Sequence, residues 1–258
     1  MASLFQCIHE KKKEESLFWA YELYYSGFEE YVASFLATIY RQSFWSLQPN
    51  LKKHIDMWQD DCILHPEFIG NMVINMCSPV RTYDITNYIF NKSPTEIIAN
   101  NKETRLIIRI HKNDLLPYHT IDHDKETHWK ILPKVCLYEV RKDTIEYMNC
   151  SHKHLDPIEL QHIQIDKWLY YASYSPIWQK RIADFRGIID HENKEVEFEE
   201  DDDLQEFHRL YGYEPDEQCQ TTRLKMCHLV STLQITKVEF AKRYGCIVKK
   251  LPKKKMGA

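Results

Sequence analysis

The chain has 258 residues, 43% hydrophobic and 28% charged, enough to bury a core without disulfide or metal staples. Its 34 basic and 38 acidic residues leave a net charge of −4, so the molecule lacks the overall positive field of a general nucleic-acid binder. Only 6 glycines accompany 13% aromatics, which argues against a many-hairpin all-β fold, whose turns call for glycine at positive φ.

The 8 cysteines (Cys7, Cys62, Cys77, Cys136, Cys150, Cys219, Cys227, Cys246) are scattered, with no CxxC pair and no secretory-type segment ahead of them. Reduced thiols in an intracellular compartment are expected. The longest candidate for membrane insertion, Val32 to Tyr40, falls short of the roughly 20 apolar residues a spanning helix needs, so a soluble protein with no membrane partner is expected. With Ala at residue 2 and no Cys among the last four residues, no lipidation is expected.

Residues 14 to 45 carry the strongest helical pattern. Leu17, Ala20 and Tyr24 share one stripe and Phe18, Tyr21 and Tyr25 the next, predicting a helix buried over most of its girth. Ser26-Gly27 then breaks it, with Gly27 suited to the left-handed closure of a helix C-terminus. Tyr31, Val32, Phe35, Leu36, Ile39 and Tyr40 predict a second helix with these side chains on one buried face, completing an antiparallel hairpin. Leu51, Ile55 and Trp58 suit a helix opened at Pro49-Asn50, and Ile69, Met72, Val73 and Met76 one opened at Pro66. Another is expected from about Val80 to Phe90, and Ser93-Pro94-Thr95-Glu96 reads as a capping box.

Between 101 and 155 the pattern changes. Leu106 to Ile110 and Val135 to Val140 are short and β-branched, fitting a small sheet or buried helix fragments, and Asn113 to His128 reads as a long loop. Helix returns with Ile158, Ile165, Trp168, Leu169 and Ala172. Ser175-Pro176 supplies a cap and first-position proline for a helix from Ile177 to Phe185, with Gly187 closing it. Glu195 to Phe198 suits a short strand or turn, and Leu204, Phe207 and Leu210 a helix ending at Gly212. Seven carboxylates in the nine residues from Glu195 to Asp203 precede that helix, where they favour its positive end. Thr236 to Glu239 is a further capping box, with Phe240 and Tyr244 four apart and Gly245 closing; a basic tail follows at Lys249, Lys250, Lys253, Lys254 and Lys255. The fold class expected is mainly α, a helical bundle or orthogonal helices with a minor β or irregular segment in the middle. Its regions are 1–100 helical, 101–155 mixed or irregular, and 156–258 helical with a basic tail, as separate units or one compact domain.

No phosphate-cradling GxxxxGK[ST] or GxGxxG is present, and no GxSxG nucleophile elbow. Cys150-x-His152-x-His154 offers three metal ligands on one face of an extended strand, with Cys219, Cys227 and His228 able to join only through the fold; ordinary surface histidines and a buried thiol are the commoner outcome. His119, Asp122, His123, Asp124 and His128 form the densest polar cluster, the residue types a hydrolytic metal centre uses to lower the pKa of bound water, although Pro117 favours a solvated loop. Neither pattern assigns a catalytic residue, a metal site or a cofactor. Tyr170, Tyr171 and Tyr174 with Lys167, Lys180 and Arg181 nearby could stack bases, but core packing and partner contact are commoner fates for tyrosine, so nucleic acid is the less favoured partner.

The blocks Glu15 to Phe28, Trp168 to Pro176 and Tyr213 to Gln218 resemble an uncharacterised family encoded by nucleocytoplasmic large DNA viruses. That resemblance implies no known activity. It implies a place in the infected host cell: the cytoplasmic viral factory or the virion, with the nucleus as a further compartment. Leu17, Trp19 and Gly27 are also similar to the helical hairpin beyond the motor in clamp-loader-related replication and recombination ATPases, but here no motor motif accompanies it. The expectation is a non-enzymatic interaction or assembly subunit with a protein partner, accessory to viral DNA replication or transcription; its interaction surface is drawn from Trp19, Tyr21, Tyr24, Tyr25, Phe28, Tyr170, Tyr171 and Tyr174. The alternatives are a metal-dependent hydrolase using the His119 to His128 cluster, and a virion structural component.

Overall fold

Leu4, Phe5, Cys7 and Ile8 fall three and four apart, and in the computed structural model they lie fully buried on a first helix, α1 (Ala2–His9). The structure describes residues 1–45, 48–78, 107–118, 138, 157–211 and 218–227. The expected Val80–Phe90 helix, the capping boxes at Ser93 and Thr236, the strand at Val135–Val140 and the basic tail lie outside those residues, except for Tyr138 of the strand.

Helix α1 closes through Lys11 in the left-handed conformation (φ 60°), with the Lys12 N–H on the Cys7 carbonyl and the Lys11 N–H on that of Ile8. Helix α2 (Lys13–Tyr25) then runs through the core between α1 and α5 (Glu67–Cys77), burying Leu17, Phe18, Ala20, Tyr21 and Tyr24 as its two stripes predict. It ends as Gly27 requires. At φ 90° the glycine donates to the Tyr24 carbonyl, and the Phe28 N–H reaches back to Leu23. Helix α3 (Glu29–Ile39) follows and widens into a π-helical turn over Tyr40–Phe44. Its buried face is Val32, Ala33, Leu36, Ala37, Ile39 and Tyr40. Tyr31, expected on that face, is instead 55% exposed, because the α2–α3 turn sets the first turn of α3 at the edge of the core.

A 3-10 turn at Pro49–Leu51 opens α4 (Lys52–Asp60), which buries Ile55 and Trp58, and Pro66 stands at the N-cap of α5; both starts are where proline predicts them. The β-branched run around Ile108 forms neither sheet nor helix. Residues 107–110 lie extended along α5, and Lys112–Tyr118 is a 3-10 helix burying Leu115, where the sequence suggests loop from Asn113. The extended strap takes its hydrogen bonds from side chains. Asn75 gives its amide to the Ile108 carbonyl (2.7 Å) and accepts the Ile108 N–H (3.1 Å), while Asn71 accepts the Ile110 N–H (2.7 Å). Both asparagines are buried and four residues apart, so one helix face supplies what a neighbouring strand would.

A second core begins with α6 (Pro157–Gln161), a π-helical turn (His162–Asp166) and α7 (Trp168–Ala172). Ile165 is buried there; Ile158, expected on the same stripe, is exposed. Helix α8 (Pro176–Asp184) starts at the predicted Ser175-Pro176, although the Ser175 hydroxyl makes no capping bond. At its other end the left-handed residue is Arg186 (φ 57°), not Gly187. Gly187 is needed for closeness instead: a Cβ there would stand 2.7 Å from Ile182 Cγ2. Strands β1 (Ile188–Asp190) and β2 (Glu195–Glu197) pair antiparallel, and among the described residues this hairpin after α8 is the β element of a mainly helical fold; most of the middle segment 101–155 lies outside them. Asp190 ties their turn by accepting the N–H groups of Glu192 and Asn193 and the Asn193 amide, which hold its carboxyl below the usual range, the Asn193 backbone bond most of all. Helix α9 (Asp201–Tyr211) buries Phe207 and Tyr211 against Ile182 while Leu204 is 37% exposed, and α10 (Gln220–Cys227) ends the described chain.

Candidate functional site

Four of the aromatic residues expected on an interaction surface cluster in the first core. Tyr21 is fully buried; its ring stacks on Tyr25 (5.8 Å) and Tyr118 (5.2 Å). Tyr24 is 6% exposed and its hydroxyl donates to the Cys62 carbonyl at 3.0 Å. Burial pushes both hydroxyls well above the ordinary tyrosine range, so they act as neutral hydrogen-bonding groups. Trp19 is half-buried with its indole N–H on Glu15, and Tyr25 and Phe28 are half-buried as well. In the second core Tyr170 is 5% exposed, its hydroxyl 2.9 Å from that of Tyr174 and 3.4 Å from His191 Nδ1. The bond to Tyr174, with burial second, pushes the Tyr170 hydroxyl up to about 12. Tyr21, Tyr24 and Tyr170 are therefore core residues that present no face to a partner. Tyr174 is 61% exposed, and Tyr171 is partly so.

The two expected clusters meet at Gly27. The Ile177 N–H, in the first turn of α8, donates to the Ser26 carbonyl, and a Cβ on Gly27 would stand 2.7 Å from Pro176 Cβ. The segments that flank this joint carry exposed or half-buried apolar side chains. Phe28 sits 6.4 Å from the ring of Tyr31, and the turn after α4 exposes Ile63 and Leu64. That turn is fixed rather than loose: the Tyr24 hydroxyl holds its Cys62 and Ile63 carbonyls, and the Cys62 thiol reaches the Glu29 carbonyl at the start of α3. Tyr174 stands two residues before Pro176 on the other side. Tyr31, Ile63 and Leu64 have no signal as site residues in the sequence, because exposed apolar residues at helix spacing read as core.

Charges of the second core are used locally. Lys167 pairs with Glu195, Arg186 with Asp203 at 2.5 Å, and Arg209 with Glu206. Of the basic residues expected beside the tyrosines, Lys167 is thus engaged, Arg181 is buried among aromatic rings and Lys180 is exposed. His119, Asp122, His123, Asp124 and His128 lie outside the described residues, as do Cys150, His152 and His154. Among the described residues no three His, Cys, Asp or Glu side chains are grouped so as to hold a metal ion, and no helix is long and apolar enough to cross a membrane. Neither a protein-family model, nor a curated protein, nor a solved structure matches this chain.

Proposed function

We propose that this chain is a non-enzymatic interaction subunit that docks a protein partner on the apolar rim around Gly27, formed by Phe28, Tyr31, Ile63 and Leu64 with Tyr171 and Tyr174. One observation carries the reading: large apolar side chains stand exposed on a scaffold whose backbone is pinned from beneath, by the Tyr24 hydroxyl under residues 62–63 and by the Ser26 carbonyl under α8. A rigid apolar surface costs little ordering entropy when a partner covers it. The resemblance of Glu15–Phe28 and Trp168–Pro176 to a family of large DNA viruses supports a role in the infected cell, in the viral factory or the virion, as an accessory to replication or transcription.

The test is affinity capture of the tagged full chain from infected cells, read by mass spectrometry. The wild type should recover a defined partner, and the variant carrying Tyr31→Ser, Leu64→Ser and Tyr174→Ser should lose it while keeping the same circular dichroism and thermal midpoint. Recovery of the same proteins by both overturns the reading.

A further inference from the structure

Arg181 is a buried cation with no anion beside it among the described residues. It is 5% exposed on α8, its Cζ lies 4.6 Å from the ring centroid of Trp178 and 4.7 Å from that of Tyr211, and among the described residues no side chain or carbonyl accepts a hydrogen bond from it. The two ring centroids are 6.2 Å apart, so they subtend nearly a right angle at the cation. The rings therefore wall it on two sides, as a corner does, and leave its donor edge unmatched. Ring faces offset part of the cost of taking a guanidinium largely out of water, and its N–H donors meet no acceptor among the described residues.

We propose that Arg181 is the receptor for one carboxylate of an acidic side chain on the partner that the rim docks, a proposal that rests on the function argued above. Charge selects the ligand. Lys167, Arg186 and Arg209 are each paired with a carboxylate of this chain, whereas among the described residues Arg181 has none. A carboxylate brings one negative charge and two coplanar oxygens that match the planar guanidinium fork, whereas a phosphate dianion asks for further cations.

The probe is acetate, titrated into the full chain at constant ionic strength against sodium chloride, with inorganic phosphate in parallel. The readout is the side-chain Nε–Hε resonance of Arg181, which the two rings shift upfield of the other arginines and so identify without a variant. Acetate should move that resonance saturably and chloride should not; the indole N–H resonance of Trp178, whose ring lies 4.6 Å from the guanidinium, should move with it, and in Arg181→Lys should respond about tenfold more weakly because lysine lacks the fork. Acetate indistinguishable from chloride, or phosphate saturating where acetate does not, overturns the proposal, and neither outcome depends on the variant folding. The titration contains no partner. Silence with rim-dependent capture intact removes only the carboxylate receptor, and an acetate response with capture unaffected by the rim variant removes only the docking reading.

Discussion

The hydroxyl of Tyr21 stands between the Pro66 carbonyl and the N–H of Gly70, donating to the first at 3.0 Å and accepting from the second at 3.0 Å. Those are the two groups that an uninterrupted helical ladder would join directly. The side chain of α2 thus completes the first turn of α5, and Gly70 permits it: a Cβ there would meet the Tyr21 Oη at 2.6 Å and Ile110 Cδ1 at 2.5 Å. Tyr21→Phe leaves a buried donor and acceptor unmatched and should cost about 2 kcal/mol, and Gly70→Ala, which drives the hydroxyl out, about the same. Because both remove one arrangement, the double variant should cost clearly less than the sum. Additive losses in urea denaturation would show that the two residues do not act through each other.

Gly27 carries two separable constraints. Its φ of 90° disfavours any L side chain, and Pro176 leaves no room for a Cβ. Gly27→Ala should destabilise by about 2 kcal/mol and speed amide exchange at the start of α8, where the Ile177 N–H donates to Ser26. Adding Pro176→Gly relieves the clash and leaves the dihedral strain, so it should restore part of the loss. No restoration would mean that the two cores do not meet through this contact.

The Asn71 and Asn75 amides make a second set of claims. Asn75→Ala strips both partners from Ile108 and frees the strap while leaving α5 its helical bonds. Trypsin should then cut after Arg109, an exposed residue of that strap, several-fold faster than in the wild type, with a stability loss of about 2 kcal/mol. Unchanged cleavage after Arg109 would show that the Asn71 bond to Ile110 and the packing of Ile107 and Ile110 hold the strap without Asn75.

His9 links stability to pH. The ring is fully enclosed, with Nδ1 2.7 Å from the Phe5 carbonyl, Nε2 3.1 Å from the Ser43 hydroxyl and the rings of Phe5 and Phe44 beside it. Desolvation lowers its pKa from 6.5 to about 4, partly opposed by the Phe5 bond. Above pH 6.5 the imidazole is neutral in both states and contributes no slope. As pH falls from there towards about 4, the unfolded chain takes up a proton that the folded chain refuses, so stability drops by about 3 kcal/mol and then levels off. His9→Gln should abolish that part of the pH dependence in urea titrations between pH 7 and pH 4. An equal slope in the variant would assign the acid sensitivity to other groups.

What the sequence discloses about this molecule follows the chemistry of its punctuation. Pro49, Pro66 and Pro176 mark helix starts, and Gly27 marks a helix end, because ring and missing Cβ each leave few backbone options. The closures at Lys11 and Arg186 were not legible. Both are left-handed positions held by long basic side chains, which the negative end of a helix tolerates and no residue code announces. Helix α1 escapes for a related reason: eight residues are too few for periodicity to stand out, and burial on all sides removes the polar face that would define a period. The strap over α5 is not legible in the sequence because its partners are asparagine side chains from another segment, a tertiary match that local propensity cannot express. The same limit explains the site. Tyrosine-rich segments stand out in the sequence, but which ring faces water depends on whether its hydroxyl finds a backbone group inside, as Tyr21 and Tyr24 do and Tyr31 does not.

Among the described cysteines, reactivity should divide sharply. Cys7 and Cys77 flank one hydroxyl, with Ser16 Oγ donating to Cys7 Sγ at 3.1 Å and Cys77 Sγ donating to Ser16 at 3.4 Å; burial pushes the Cys77 thiol up to about 11. Burial also raises Cys62. Cys219 is exposed, and its thiol lies 3.1 Å from the Thr221 hydroxyl and 3.3 Å from that of Thr222, which lower it to about 7, Thr221 most. At pH 7 a large fraction of Cys219 is thiolate, the form that attacks iodoacetamide, whereas Cys77 is almost wholly protonated and enclosed. Brief alkylation of the native chain followed by peptide mass spectrometry should therefore find Cys219 modified at least tenfold faster than Cys7, Cys62 or Cys77. Thr221→Val should slow it at pH 7 and leave the rate at pH 10, where the thiol is ionised in either case, nearly unchanged. Labelling of Cys77 at a rate comparable with Cys219 would mean that the α1–α2–α5 core opens on the timescale of the reaction.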